Sequence, residues 1–471
     1  MIKVEDEVLQ KQINLLYEYK QEHVLKWWDQ LSIEEGKEFS DQICSINIPL
    51  VGELAKKHVI DYEQIIKKKE LAPPEVISIP KEEKDIEKEG EAKKFGEIAL
   101  KNGEVGCFLV AGGQSTRLGL NSPKGTYPIG PITKRSLYQI HVEKIKALSE
   151  KYDIRIPLYI MTSKYTHEGT IKYFETNQFF GLPSQDIRFI QQGMVPAVDR
   201  QGNMILDKKN HIFENPNGHG GTILAIRDSN ALNDMKQRGI KYLFYFQVDN
   251  ALLKIADPVF IGYHFLNKSQ MSAKVVAKKH PEEKIGLVGY VNGKLGVIEY
   301  SELTKEEVYA KNEDGSLKFN AGSPAIHILS VSFIENIIFK GTKLKYHKAF
   351  KKIPYISEEG EIITPSEPNG YKFETFIFDL FEEAENVVLM EVNRLEEFSP
   401  LKNREGSDSP QEVKKNLTKL YASWIKKANI EVPVDKDGEI LGYIETSPLF
   451  ALDQEDFIQK AEGMSFQRIW R

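Results

Sequence analysis

The segment LVAGGQSTRLGLNSPKG (109–125) overlaps the end of an apolar run, CFLVA (107–111), and combines bare backbone with two cations, Arg117 and Lys124. Glycine without a Cβ lets amide N–H groups come close to an anion, and consecutive amides form a concave nest for phosphate oxygens. Arg117 and Lys124 add the full positive charge that amides lack, and Pro123 fixes the chain just ahead of Lys124. Two cations so spaced suit different parts of a polyphosphate. Two better-known phosphate loops are excluded, because GxxxxGK[ST] does not occur and GGQSTRLG does not match GxGxxG. An ordinary glycine-rich turn with surface cations is the alternative that the loop by itself leaves open.

A loop that presents amides to an anion must be held by the elements around it. Besides CFLVA, apolar runs of strand length occur at IPLYIMT (156–162), IRFIQQ (187–192), YLFYFQV (242–248), SAKVVA (272–277), LGVIEY (295–300) and NVVLMEV (386–392). Amphipathic stretches such as SLYQIHVEKIKALSEKY (136–152) stand between several of them. This alternation predicts an α/β fold: a Rossmann-like mixed, mostly parallel sheet with helices on both faces. The glycine loop then falls at the carboxyl end of a buried strand, the edge where doubly wound sheets bind ligands.

The flanks read differently. Leu9, Ile13 and Leu16 recur at helical spacing, as do Val24, Trp27, Trp28 and Leu31, and Ser32 with Glu35 forms a capping-box pattern. The two tryptophans are expected to pack this helical segment onto the body of the protein. Residues 81–102 are charge-dense and predict a solvated helix. Past residue 396 the alternation breaks; a helix-like stretch at 411–428 precedes short strand and turn material. The expected organisation is a helical N-terminal segment and linker (1–95), a central α/β domain (96–395) and a small C-terminal domain (396–471).

At 471 residues the chain has room for roughly three units of ordinary domain size. Its net charge of −6 offers no electrostatic footprint for nucleic acid or an anionic membrane, so any bound anion must be met by a local cluster of cations. The N-terminus MIKVEDEVLQKQ lacks the apolar core of a secretory signal, and no apolar run is long enough to span a membrane. Cys44 and Cys107 are too few and too isolated for a disulfide framework or a thiolate metal site. A cytoplasmic protein with free thiols is expected.

LVAGGQSTRLGLNSPKG resembles the signature of the sugar-nucleotide pyrophosphorylases, and more narrowly the UDP-N-acetylglucosamine pyrophosphorylase branch of the UTP:sugar-1-phosphate uridylyltransferases. Further matching blocks follow in order: IMTS (160–163), QQGMVPA (191–197), NGHGG (217–221), QVDNALLKIADPVFIG (247–262), AKVV (273–276), VIEYSEL (297–303), FNAG (319–322), FIFD (376–379) and EFSPLKN (397–403). The resemblance implies a nucleotide-diphospho-sugar transferase fold and a reversible reaction in which UTP and a sugar 1-phosphate give a UDP-sugar and pyrophosphate. It implies that Val110, Ala111, Gly112 and Gly113 cradle the nucleotide, with Arg117 and Lys124 on its phosphates. Asp249 would hold Mg²⁺, and Lys402 would neutralise the joined phosphates. Gln192, Gly218 and His219 would line the uracil side, and His219, Gly286, Glu299, Asn320, Phe376 and Phe378 the sugar side.

The block NGHGG departs from the branch, which usually carries asparagine where His219 stands, while FNAG and VIEYSEL agree with it. N-acetylglucosamine 1-phosphate is therefore the expected substrate, with glucose 1-phosphate or a broader sugar range as the alternative. A non-catalytic sugar-nucleotide-binding regulator is a second alternative. It is expected to lack one of Lys124, Asp249 or Lys402, and all three are present. No nucleic-acid or membrane partner is expected, and the sequence does not give an oligomeric state.

Overall fold

The computed structural model describes residues 2–61, 69–300 and 302–462. Of the segments read from sequence, residues 1 and 62–68 of the N-terminal one, 463–471 at the end of the C-terminal one and Ser301 within VIEYSEL lie outside the described residues. The chain forms two compact units: a larger one of Lys69–Gln191, Ala225–Thr342 and Leu380–Arg471, and a smaller one of Met1–Lys68, Gln192–Leu224 and Lys343–Asp379. Divisions at 95 and 396 follow changes of sequence texture, whereas these units interleave distant segments.

The larger unit is built on a seven-stranded sheet: β1 (Val105–Val110), β2 (Leu158–Thr162), β3 (Ile187–Gln191), β4 (Tyr242–Gln247), β5 (Met271–Val275), β6 (His327–Ser330) and β7 (Val387–Glu391), in the order β7-β5-β6-β4-β1-β2-β3. Only β6 runs antiparallel to its neighbours, so the sheet is mixed and mostly parallel as expected. Every residue of β1, β2 and β5 is buried, which is why β1 and β2 read as nearly unbroken apolar runs, whereas β5 buries Ser272 and Lys274 as well. The chain passes from β1 outward to β2 and β3, then returns to the other side of β1 with β4. This reversal opens a crevice beyond the carboxyl ends of β1 and β4. The register places Val110 opposite Gln247, so the segments leaving these strands start side by side.

Two expectations need correcting, and one strand went unread. LGVIEY does not enter the large sheet; Lys294–Ile298 forms a hairpin with Leu287–Val291, which pairs with Leu71–Ala72. Its two-residue turn, Asn292–Gly293, has φ of 50° and 78°, the mirror-image turn that matches strand twist, and an Asn-Gly pair between apolar runs signals it. The strand β6 escaped notice because four residues are too short for a periodicity. The charge-dense stretch is a helix, Glu83–Lys101, but not a fully solvated one, for it buries Ala92, Gly96, Ala99 and Leu100. It lies so close to the helix Pro258–Leu266 that a Cβ on Gly96 would stand 1.8 Å from the Pro258 carbonyl oxygen. The helix Pro410–Lys427, expected near 411–428, adds Val413, Leu417, Leu420 and Trp424 to the core around the sheet.

The smaller unit joins three N-terminal helices, Glu7–Glu18, Ile33–Ser45 and Ile48–Ala55, to short strands from two later excursions of the chain. Ser32 and Glu35 form the expected capping box. A three-stranded sheet of Tyr346–Lys351, Gly370–Thr375 and Val198–Asp199 is the largest β element described in this unit. Its core packs Ile13, Leu16, Trp27, Phe39 and Ile43 with Val195, Val198, Ile212 and Phe373, so Trp27 packs as expected. Among the described residues no helix is long and apolar enough to cross a membrane.

Candidate active site

The glycine loop leaves β1 and folds back on itself. Gln114 bridges Pro123, the Ser115 N–H donates to the Ser122 carbonyl at 3.1 Å, and the Lys124 N–H donates to the Gly113 carbonyl at 3.2 Å. Lys124 is thereby returned to the mouth of β1. Gly125 then passes against the buried Tyr138 ring, where a Cβ would lie 2.2 Å from Cζ, so any side chain there would displace Lys124. Val110, Ala111 and Gly112 are buried and Gly113 is exposed; Ser163, beyond β2, donates its hydroxyl to the Gly112 carbonyl at 2.8 Å. The Ser115 hydroxyl is buried in this loop with no hydrogen-bond partner among the described residues. Such a group recovers its desolvation cost only when an acceptor arrives.

Asp249 stands two residues beyond the end of β4, and Lys124 Nζ donates to its Oδ2 at 3.0 Å. The two side chains are only 17% and 19% exposed. Burial pushes the Asp249 carboxyl up, but Lys124 and then Lys402 outweigh it and hold the group below the ordinary carboxylate range. The Lys402 side chain is exposed, and the backbone beside it is tied in: the Leu401 N–H donates to the Asp249 carbonyl at 2.9 Å. Lys124, Asp249 and Lys402 thus form one group at the crevice between β1 and β4. Arg117 lies outside that group, exposed on the turn Thr116–Leu118 at the far limb of the loop.

Two residues that sequence reasoning missed support Asp249 from the helix Leu137–Tyr152. His141 Nε2 donates to the Val248 carbonyl at 3.0 Å, and burial lowers its pKa to about 3, so the ring is neutral. Lys144 Nζ donates to the carbonyls of Ala251, Leu252 and Leu253 at 2.7, 3.1 and 2.8 Å, and burial lowers its pKa to about 7. One helical turn therefore caps four carbonyls of the segment that carries Asp249. The signal was their place among apolar residues of that helix, where a histidine and a lysine need buried acceptors.

The larger unit also holds three of the expected sugar residues. The Val288 N–H donates to the Ala321 carbonyl at 2.8 Å and the Ser323 N–H to the Gly286 carbonyl at 2.9 Å, which brings Gly286 and Asn320 onto adjoining stretches. Asn320 Oδ1 accepts from the Lys278 N–H at 2.8 Å. Glu299 is exposed just past the hairpin strand Lys294–Ile298.

The remaining expected residues come together in the smaller unit. Gln192 is buried, and its side-chain nitrogen donates to Asn217 Oδ1 and to the Gly218 carbonyl, both at 3.3 Å. Gly218 has φ 83° and its Cβ would lie 2.3 Å from the Thr375 carbonyl oxygen, so only glycine fits. This seats the NGHGG block against Gly370–Thr375 and aims His219 at two rings, with centroids 5.2 Å from Phe376 and 5.6 Å from Phe378. The Ile377 N–H donates to His219 Nδ1 at 3.2 Å, which leaves the proton of the neutral ring on Nε2. Burial first, and His347 second, lower the His219 pKa to about 4. Among the described residues no three His, Cys, Asp or Glu side chains cluster as a metal cage.

The family model described as UTP–glucose-1-phosphate uridylyltransferase matches residues 53–409. A UDP-N-acetylglucosamine pyrophosphorylase of Saccharomyces cerevisiae is 40% identical over 391 residues, covering 81% of this chain and 80% of the yeast protein. A UDP-N-acetylglucosamine diphosphorylase 2 of Arabidopsis thaliana is 35% identical over 479 residues, covering 96% and 92%. The crystal structure of the uridine diphosphate N-acetylglucosamine pyrophosphorylase from Trypanosoma brucei superposes with a TM-score of 0.83 at 25% identity, over 98% of this chain and 96% of that one. Uridylyl transfer from UTP to a sugar 1-phosphate is the class of reaction this enzyme carries out, and in sequence and fold alike the chain belongs to the UTP–glucose-1-phosphate uridylyltransferase family.

Proposed function

We propose that the sugar substrate is N-acetylglucosamine 1-phosphate and that the products are UDP-N-acetylglucosamine and pyrophosphate. The names of the yeast, Arabidopsis and Trypanosoma relatives support this sugar. The single observation that carries the phosphate chemistry is the group of Lys124, Asp249 and Lys402 in the crevice between β1 and β4.

The nucleophile is a phosphate monoester whose second pKa lies near ~6, so it is already ionised at neutral pH and needs no general base. Its oxygen bonds to the α-phosphorus of UTP as the bond from that phosphorus to the bridging oxygen of the β-phosphate breaks, and pyrophosphate leaves with the electron pair. Two anions must meet in line, and the chain's part is to align them and neutralise their charge. Lys124 stabilises the charge that moves toward pyrophosphate. Lys402 meets the joined phosphates, and Arg117 contacts the nucleotide phosphates from the exposed limb of the loop. Val110 to Gly113 cradle the nucleotide, and the Ser115 hydroxyl supplies a donor that lacks an acceptor within the described protein.

Asp249 fits a magnesium ion: it is ionised, and Mg²⁺ is commonly held by one or two carboxylates together with substrate phosphates and water. When bound, the ion neutralises phosphate oxygens. Gln192 pairs with uracil through its amide, with Gly218 beneath. In the smaller unit His219, Phe376 and Phe378 supply polar and apolar contacts for the sugar, and in the larger unit Gly286, Glu299 and Asn320 supply others. The protein acts in a reducing cytoplasm, with Cys44 and Cys107 as free thiols.

Pyrophosphate release from UTP, measured with a panel of sugar 1-phosphates, tests this reading. N-acetylglucosamine 1-phosphate should give the highest kcat/KM, EDTA should stop turnover and Mg²⁺ should restore it. A preference for glucose 1-phosphate would replace the sugar; turnover that survives EDTA would remove Asp249 from a metal site.

A further inference from the structure

Asn250, next to Asp249, is 2% exposed and bonds to a segment almost 150 residues further along the chain. Its Nδ2 donates to the Glu397 carbonyl at 2.7 Å, and its Oδ1 accepts from the Ser399 N–H at 3.1 Å. With the Leu401 N–H on the Asp249 carbonyl at 2.9 Å and an antiparallel bridge between Asn250 and Pro400, these contacts zip 249–250 to 397–401. Lys402 is the first residue past the zip.

The far end is anchored deeper. Glu397, 3% exposed, closes the short helix Arg394–Glu397, and its two carboxylate oxygens lie 2.6 and 2.7 Å from Lys274 Nζ. Lys274 sits inside β5 with no exposed surface, and its ammonium also reaches Asp257 Oδ2 at 2.7 Å. Three protons meet three carboxylate oxygens. Desolvating such charges costs more than well-packed apolar residues of the same volume, so a buried ionic cluster is poor support for stability alone. What it supplies is direction. Lys274 fixes Glu397, Glu397 presents its carbonyl to Asn250, and Asn250 holds the backbone ahead of Lys402.

We infer that Asn250 is a positioning residue for the reaction, setting Lys402 against Asp249, with the Lys274–Glu397 pair as its buried anchor. Lys402 is a long side chain on an exposed stretch, and a lysine whose backbone wanders loses its aim at the reacting phosphates. The inference rests on the proposed role of Lys402, and its test separates the two.

The test is a double-mutant cycle of Asn250→Ala and Lys402→Ala, read as kcat and KM with UTP and N-acetylglucosamine 1-phosphate, with thermal midpoints alongside. Asn250→Ala alone should lower kcat roughly tenfold to a hundredfold, the scale of a small misplacement of a reacting group, with a much smaller change in KM for UTP. In the Lys402→Ala background the same substitution should lower kcat less than about threefold, because the side chain it positions is gone. Equal factors in both backgrounds, or an unchanged kcat in Asn250→Ala, would overturn the positioning role. Lys402→Ala with wild-type kcat would instead sink the role of Lys402 itself. Asn250→Ser, which keeps a polar atom in the buried site but cannot span both partners, runs through the same cycle should Asn250→Ala not fold.

Discussion

Lys124 and Asp249 stand where two neighbouring parallel strands end in register, whereas His219 stands among rings gathered from separate excursions of the chain. In the first region the backbone does most of the placing. Val110 opposes Gln247, the glycine loop doubles back, and two opposite charges meet at 3.0 Å. In the second, position depends on packing: Gly218 against Thr375, the His219 ring beside Phe376 and Phe378, and one hydrogen bond from Ile377. On the proposed assignment, charge set by strand register would serve what every substrate of the class shares, namely phosphates, and shape set by packing would serve what differs between them.

The contrast can be broken most directly at Lys124. Lys124→Ala should lower kcat by about a hundredfold to a thousandfold, the usual cost of removing a preorganised charge-stabilising group, with the fold retained by circular dichroism. Activity within a few-fold of wild type would mean that register has placed a bystander.

A smaller effect is expected at His219. Asparagine has both a donor and an acceptor and is less bulky than imidazole, so His219→Asn should raise the kcat/KM ratio of N-acetylglucosamine 1-phosphate over glucose 1-phosphate by about tenfold. An unchanged ratio would move selectivity to Asn320 or Glu299, and a tenfold fall with both sugars would make His219 part of the shared chemistry.

The smallest effect sharpens the picture of the His219 pocket. Burial lowers this ring from 6.5 to about 4, so the stability that depends on its neutral form is present above pH about 6.5 and is lost as the pH falls toward about 4. His219→Asn should flatten the fall of the denaturation midpoint across that window. His141 and His264, both lowered to about 3 by burial, titrate in both proteins and cancel in the difference. Identical slopes would show a ring open to solvent.

Much of the phosphate side was legible in the sequence because strands buried on both faces leave apolar runs, and the chemistry begins where those runs stop. CFLVA and YLFYFQV became β1 and β4, and Asp249 followed from the second. Lys274 was not legible as an anchor. Within SAKVVA it reads as a polar interruption, and its carboxylate partners lie 17 and 123 residues away. Asn250 was visible only as part of a matching block, since nothing local announces a bond to Glu397. The Asn-Gly turn at 292–293 was a readable sign that LGVIEY belonged to a hairpin. The smaller unit was harder for a physical reason: several of its strands are two or three residues long, too short for any alternation to appear.

The same interleaving bears on how the protein could be shortened. A gene trimmed to begin at codon 69 would still encode all seven strands of the large sheet. It would also strip Val195, Val198, Ile212 and Phe373 of the N-terminal side chains that shelter them, among them Ile13, Leu16, Phe39 and Ile43. Greasy surface laid bare on that scale invites precipitation, so the opening helices are a condition of solubility for any minimal version of this enzyme.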